Sequence, residues 1–350
     1  EMKELMKQSL AQQVLEKGGR IEPLIVDSKT TDGLGLCNPS IWHKPDTTKY
    51  LINVRHVSYY LHHCEGDQKY QTPWGPLNYV RPDDDPFLRT KNYICDFNLR
   101  NMKLTNPREV NTNKFTKEPE WDFVGLEDAR LVQWDGKMYM TGVRRYAPNG
   151  KGRMILSEID VTAKGVKEIG RYVIDPPEGD EPFCEKNWMP IEDMPFHYVK
   201  WSNPIEVVKV DINKKWKNNP KKYRCPSQYV YKGKDDEKMD LQLDPRGGSQ
   251  IIKYGDEYMA VVHECDYWHN EKNDRDSHYY HRIMTWDRNW KLTGHSKPFK
   301  FMDGRIEFCC GMAPHPDAEN GGVYITFGFQ DNSAYMIHVG KDHLNQLLDK

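Results

Sequence analysis

The sequence predicts an all-β protein, a five-bladed β-propeller with a short helix at each end, and three observations lead there. Between the termini run many short stretches rich in Val, Ile, Tyr, Phe, Trp and Thr, broken by Asp-Gly, Gly-Asp, Asn-Gly and Pro-containing turns. Several share one layout, in which a strand, an Asx or Gly turn and a second apolar strand end near a polar cluster. Residues 130–134, the Asp135-Gly136 turn and residues 138–143 form one such unit. Residues 250–254, Gly255-Asp256 and residues 258–263 form another, and Gly321-Gly322 followed by 323–327 repeats the theme. Comparable starts fall near Asn38, Gly125, Lys186, Gly247 and Glu307. That spacing is roughly 60 residues, somewhat longer than usual for a four-stranded blade, and gives five blades. Short strands also suit a sandwich or two barrels, so the period alone does not exclude those architectures.

Helix patterning is confined to the ends. Residues 2–16 carry apolar side chains at helical spacing and stop at Gly18-Gly19, and residues 341–348 form a short terminal helix. Residues 1–30 are thus assigned to a helical segment and linker, 31–340 to the propeller and 341–350 to the closing helix; no Gly, Ser or Pro-rich linker argues for a second domain. The N-terminal stretch is charged and lacks the apolar core of a secretory signal. It begins with Glu1, as expected of a fragment or processed chain that forms part of a larger multidomain protein.

Composition sets the outer limits. The 350 residues are 37% hydrophobic and 29% charged, as in a soluble globular protein able to bury a large core. No apolar run approaches the ~20 residues needed to cross a bilayer. Lys and Arg total 50 against 52 Asp and Glu, which leaves no net basic field for nucleic acid. The eight cysteines, Cys37, Cys64, Cys95, Cys184, Cys225, Cys265, Cys309 and Cys310, are scattered, without disulfide-scaffold or CxxC spacing. Free thiols in a reducing, cytoplasmic setting follow.

Four clusters could carry chemistry. Gly125-Leu126-Glu127-Asp128-Ala129-Arg130 places two acids and an arginine where a strand begins. Alternation turns Glu127 and Asp128 to opposite faces, so at most one enters a shared site while the other pairs with Arg130 or backbone donors. Alone, the segment is equally a capped turn with a surface ion pair. In Cys184-Glu185-Lys186-Asn187-Trp188-Met189-Pro190, followed by residues 196–204, a lysine and an amide amid aromatics could bind phosphate or sugar hydroxyls. The plain alternative is a core Trp188 and a solvated Lys186.

In Pro245-Arg246-Gly247-Gly248-Ser249 the glycines let backbone approach a ligand and Arg246 could meet an anion or a catalytic acid; the alternative is a simple turn. His263-Glu264 and His278-Tyr279-Tyr280-His281-Arg282 follow, with histidines close to an arginine, suited to phosphate. No second histidine stands at zincin spacing, so neither metal nor cofactor is expected. Last come Ile306-Glu307-Phe308-Cys309-Cys310-Gly311 and residues 326–332, where Asp331 is a site carboxylate or an Asx-turn residue. Asn38-Pro39-Ser40 with Asn53-Val54-Arg55 sets an amide and an arginine at the ends of an early hairpin. The Asp-x-Asp of Pro82-Asp83-Asp84-Asp85-Pro86, a metal-binding pattern elsewhere, is flanked by prolines and reads as a solvated loop.

In order, Asn38-Pro39-Ser40 with Arg55, Gly-Leu-Glu-Asp-Ala-Arg from Gly125, Arg144-Arg145, Glu185-Lys186-Asn187, Arg246-Gly247-Gly248, His263-Glu264, Tyr280 and the closing Asp331 resemble glycoside hydrolase family 130. These are the inverting β-mannoside phosphorylases, with phosphorylase-like β-mannosyltransferases of the same fold. The resemblance covers about 38–331 and implies a five-bladed propeller with an axial site. It implies Asp128 as catalytic acid/base, acting through a substrate hydroxyl, and Asp331 as a second catalytic-site residue that positions the sugar. Arg144, Arg145, Lys186, Asn187, His263 and Tyr280 would line the phosphate side. Asn38, Arg55, Glu127, Trp188, Arg246 and Glu307 would contact the sugar. Ala129 stands where the family commonly has Pro, Trp188 follows the Glu-Lys-Asn, and Cys309-Cys310 falls in a variable segment, which marks a distant branch.

One acid of raised pKa facing a cationic pocket is what inverting phosphorolysis requires, since phosphate replaces the water that a second carboxylate would activate. The same pocket suits the phosphates of a nucleotide sugar. The expected substrates are therefore a carbohydrate and a phosphate or nucleotide-sugar partner, with glycosyl transfer favoured over phosphorolysis. A hydrolase would instead use Glu307 or Asp331 as base across from Asp128. A non-catalytic glycan-binding propeller would rely on the aromatics alone.

Overall fold

A computed structural model describes residues 4–31, 35–63, 77–80, 85–116, 121–179, 181–213, 219, 224–269 and 275–350. Met2, Cys64, Asp83 and Asp84 lie outside them. The chain is nearly all β, with α-helices only at Leu10–Glu16 and Lys341–Leu347 among the described residues. The first is shorter than its periodicity suggests. It starts at Ser9, whose hydroxyl accepts the Gln12 N–H at 3.2 Å, and ends before Gly18 at φ 76°. Neither helix is long and apolar enough to cross a membrane.

Most of the remaining strands form five antiparallel four-stranded sheets, here I to V. Sheet I is Leu36–His43, Tyr50–Val57, Leu88–Asn98 and Lys103–Asn111; sheet II is Glu127–Trp134, Lys137–Arg145, Gly152–Val161 and Val166–Ile174. Sheet III is Met189–Pro190, His197–Ser202, Ile205–Val210 and Ser227–Lys232, and sheet IV is Ile252–Tyr254, Glu257–His269, Arg275–Trp286 and Leu292–His295. Sheet V is Glu307–Pro314, Val323–Phe329 and Ser333–Val339, completed by Arg20–Pro23 from the stretch expected to be linker. Val166 and Lys167 pair in parallel with Val110 and Asn111, which joins sheets I and II into one hydrogen-bonded array.

Alternation explains the packing between sheets, because the inner strands, such as Leu36–His43, Gly152–Val161 and Glu307–Pro314, bury side chains on both faces. One apolar cluster unites Ile94 and Val110 of sheet I with Leu131 and Ile155 of sheet II. A second unites Trp134 and Leu156 with Tyr198 and Val208 of sheet III, and a third Val199 and Val207 with Ala260 and Val262 of sheet IV. A fourth joins Val261 and Ile283 to Phe327 and Ile337 of sheet V, and a fifth returns from Met336 to Ile41 and Ile52 of sheet I. The order of contacts therefore closes on itself.

Where first strands meet, the contacts are polar. The fully buried Gln250 amide donates from Nε2 to Ser40 Oγ (3.1 Å), Ile41 O (2.9 Å) and Leu131 O (3.0 Å), and its Oε1 accepts the Met312 N–H at 2.9 Å. One side chain thus ties sheets I, II and V together beneath the site. Gly311 is needed there, since a Cβ would lie 2.5 Å from Ile41 N and 2.2 Å from Thr326 Oγ1.

Candidate active site

A cavity of about 450 Å³ opens where the leading ends of the sheets converge. Asn38, Arg55, Glu127, Asp128, Lys186, Asn187, Arg246, His263 and Asp331 all line it. Local backbone geometry does much of the placing. Asn38, Asp128, Asn187 and Asp331 have φ of 43°, 52°, 62° and 52°, in the left-handed region that Asn and Asp tolerate best. Such conformations cost free energy and gather where a site dictates them. The ladder slips between Cys37 and Ser40, and again opposite Asp128, between Thr141 and Val143. That irregularity overturns the simple alternation rule at the Gly-Leu-Glu-Asp segment, for both Glu127 and Asp128 reach the cavity.

Three carboxyls crowd one guanidinium. Arg55, only 4% exposed, donates from Nη1 to Asp128 Oδ1 at 3.0 Å, from Nε to Thr90 Oγ1 at 2.6 Å and from Nη2 to Tyr59 OH at 3.1 Å, with Glu127 Oε1 at 3.9 Å. Asn38 Nδ2 donates to Asp128 Oδ1 at 2.8 Å. Burial opposes charge on Asp128, but Arg55, Arg130 and the Asn38 bond outweigh it and hold the carboxyl below its usual range. The raised-pKa acid expected at Asp128 is found instead at its neighbours. Burial, reinforced by the negative charges of Asp128 and Glu127, pushes Asp331 up to about 6 despite Arg55. Glu127 also rises, from burial and from Asp128.

The same lining also carries cations, and the Lys186 charge acts on both Glu127 and Asp128. Lys186 and Arg246 take part in no ion pair among the described residues, whereas Lys200 faces Glu178 at 3.6 Å and Glu185 at 3.9 Å. His263 is not a cation here. Burial, with Lys186, Arg246 and Arg130 nearby, lowers it to about 3, and its Nδ1 lies 2.7 Å from Gly247 O. A neutral ring with Nδ1–H bound to that carbonyl presents Nε2 as an acceptor. Gly247 and Gly248 serve the framework, because Cβ atoms there would fall 1.7 Å from Asn187 O and 2.1 Å from Val261 O.

Arg130, 1% exposed, fastens this lining together. Its guanidinium donates to Gly248 O (2.7 Å), to the backbone oxygen of Asp128 (2.6 Å) and to Asn187 Oδ1 (3.2 Å).

Five of the residues singled out from sequence do not line the cavity. Trp188 is core, packed with Tyr198, its Nε1 donating to Glu185 Oε2 at 3.1 Å. Glu307 is fully buried, and its carboxyl accepts the backbone N–H groups of Phe301 (2.8 Å), Met302 (2.7 Å) and Gly304 (3.2 Å). It caps a loop and is unavailable as a base. Tyr280 is buried beneath Lys300. Arg145 stacks between Phe123 and Phe183, with centroids 5.6 and 5.4 Å away, close enough for its charge to act on Glu127. Arg144 turns to Thr116.

Sequence reasoning passed over Tyr59, Lys200, Trp201, Cys265, Tyr267, Tyr279, Ile306 and Phe308, all in the lining. Two follow from a shift of one residue, since Tyr279 and Phe308 enter where Tyr280 and Glu307 were expected. Lys200 and Trp201 belong to the aromatic segment after Lys186 and were within reach of the sequence pattern. Among the described residues no group of three or more His, Cys, Asp or Glu could hold a metal ion.

No family model and no curated protein matches the chain. Solved structures do. A member of the GH130 family of mannoside phosphorylases, described as containing glycoside hydrolases that target β-1,2 mannosidic linkages in Candida mannan, is 12% identical with a TM-score of 0.53, over 96% of this chain and 93% of that one. A glycosyl hydrolase from Bacteroides ovatus is 11% identical with a TM-score of 0.51, over 89% and 85%. A mannose phosphorylase from Leishmania mexicana, in complex with phosphate ion, is 12% identical with a TM-score of 0.49, over 95% and 92%. At such identities the likeness is one of fold: the chain shares the fold of the GH130 protein.

Proposed function

We propose that this chain is an inverting glycosyl-transfer enzyme that moves a sugar from a phosphate-activated donor, a nucleotide sugar or sugar 1-phosphate, to a hydroxyl acceptor. The five sheets are the blades of a propeller over residues 31–340 together with the strand Arg20–Pro23, and the cavity is its axial site. One observation carries the reading: a carboxyl cluster around Arg55 shares a single cavity with Lys186 and Arg246, two cations that take part in no ion pair among the described residues.

In transfer, the acceptor oxygen attacks the anomeric carbon from the face opposite the phosphate. The bond from that carbon to the phosphate oxygen breaks, and the electron pair leaves with the phosphate. Lys186 and Arg246 receive the negative charge that develops there. The acceptor proton goes to the carboxyl cluster. Asp128, held ionised, draws the hydroxyl hydrogen, and Asp331, with the higher proton affinity, takes the proton as their acid/base partner. The neutral His263 offers a hydrogen-bond acceptor to a hydroxyl or to a protonated phosphate oxygen. An inverting hydrolase would need a base carboxylate across the sugar; Glu307 is committed to its backbone cap, and Asp331 sits in the same cluster as Asp128, near enough for the Asp128 charge to act on it.

Incubation with mannose 1-phosphate or nucleotide sugars and a saccharide acceptor, with separate assays for released phosphate, nucleotide and free sugar, tests this. Lys186→Ala raises KM for the phosphate-bearing donor roughly 10- to 100-fold, the scale of a lost charge-assisted hydrogen bond, with little change for a neutral sugar. Equal weakening of both, or release of free sugar with neither phosphate nor nucleotide required, defeats the proposal.

The pH profile is a further test. Asp331 accepts a proton only when ionised, so the transfer rate climbs as pH rises through about 6. Asp331→Asn removes that acidic limb and lowers turnover ~100-fold. A limb unchanged in the variant assigns the proton elsewhere.

A further inference from the structure

Outside the cavity, sheet II holds two arginines that share one neutral oxygen. Arg144 Nη2 donates to Thr116 Oγ1 at 3.0 Å, and Arg171 Nη2 donates to the same atom at 2.8 Å. The Phe115 ring lies 5.4 Å from the Arg171 guanidinium, and Thr116 itself is half-buried. Guanidinium pairs converge readily on an oxyanion, because the negative charge offsets their mutual repulsion. A hydroxyl supplies no such charge.

The described neighbours do not make up the deficit. Glu168 is the carboxylate that acts on Arg144, yet its oxygens already accept from Arg171 Nη2 at 2.6 Å, Arg171 Nε at 3.0 Å and Ser157 Oγ at 2.6 Å. Among the described residues, two cations therefore face one fully engaged anion. The consequence is visible at Arg144, which burial and the Arg171 charge bring down to about 9. A small anion placed between the guanidiniums would relieve both effects. The Thr116 hydroxyl accepts from both arginines and keeps its own O–H, so it can turn to donate that hydrogen to an incoming oxygen.

We propose that Arg144, Arg171 and Thr116 form a binding site, separate from the cavity, for a tetrahedral oxyanion such as inorganic phosphate or a phosphate monoester. The rigidity of the sheet suits this role. Arg144 and Arg171 stand on strands separated by Gly152–Val161, in fixed register with Arg153 and Ser157, so the spacing of the two guanidiniums is set before any anion arrives.

Thermal unfolding of the Lys186→Ala/Arg246→Ala protein, in which the cavity cations are gone, isolates the site. Titration with sulfate, inorganic phosphate or O-phosphoserine, against sodium chloride at equal ionic strength, should give a saturable rise in Tm of roughly 2 °C. Adding Arg144→Gln should abolish it. A larger response to phosphoserine than to phosphate assigns the site to a phosphorylated ligand, the reverse ranking assigns it to the free ion, and either supports it. Thr116→Glu tethers a carboxylate between the guanidiniums, so it should raise Tm without added anion and remove the sulfate response. No saturable shift, or a shift that survives both Arg144→Gln and Thr116→Glu, overturns the proposal.

Discussion

Asp128→Asn lowers turnover by ~100-fold or more, the scale of losing a group that manages a proton in the transition state. The amide keeps an oxygen for Asn38 Nδ2 and Arg55 Nη1, so the backbone geometry and the Arg130 bond to the Asp128 carbonyl have no reason to move. What disappears is the charge. Two readouts follow from that difference. First, kcat falls while the affinity for the phosphate-bearing donor, set by Lys186 and Arg246, stays near that of the unaltered protein. Secondly, the charge of Asp128 contributes to the raised proton affinity of Asp331, so removing it moves the acidic limb of the residual activity to lower pH. Steady-state rates at saturating donor and acceptor check the first point, and a pH series checks the second. Turnover near that of the unaltered protein would end the assignment of chemistry to this cluster.

Arg55→Met has the larger effect on stability. The guanidinium is almost wholly buried, balances three acids and satisfies Thr90 and Tyr59. An apolar side chain of similar length leaves the Asp128 carboxylate confined without its partner, a loss of roughly 3–5 kcal/mol for buried pairs. The pH dependence fixes the interpretation. In the unaltered protein Asp128 has a folded-state pKa below its unfolded value, so its contribution is present above the unfolded pKa and fades as pH falls through the folded one. Without Arg55 the same carboxyl titrates higher and prefers to be neutral. The gap in stability between the two proteins therefore widens from about pH 4 upward and narrows in acid. Denaturant unfolding at several pH values measures it. A gap independent of pH would mean that Arg55 supports the fold by packing alone.

Strand periodicity, turn chemistry and repeat spacing are local properties, and they were legible from the chain. Starts expected near Asn38, Gly125, Lys186, Gly247 and Glu307 lie close to the first strands of the five sheets, which begin at Leu36, Glu127, Met189, Ile252 and Glu307. The polar clusters following those starts supplied nine residues that meet in one cavity. Which face each residue takes was less accessible. Strand alternation has a period of two, so a shift of one exchanges cavity for core. At Glu307 and Tyr280 the cavity side belongs instead to Phe308 and Tyr279. At Glu127 and Asp128 the opposite happened. A left-handed residue and a slipped register, which no local pattern announces, brought both acids to one side.

Charge state is the property furthest from the sequence. Asp128, Asp331 and Glu127 are three carboxyls of nearly equal intrinsic acidity, and nothing in their local sequence ranks them. Arg55, 73 positions from Asp128, holds that carboxyl down, while burial in company with two other acids lifts Asp331. His263 is likewise neutral because sheets meet around it. By itself the sequence determined the all-β class, the two terminal helices and the residue types available to a sugar-and-phosphate site. Only the tertiary structure decided which side chains face the cavity and which carboxyls are pushed up or held down in proton affinity, because burial and Coulomb interactions depend on distances between residues far apart in the chain.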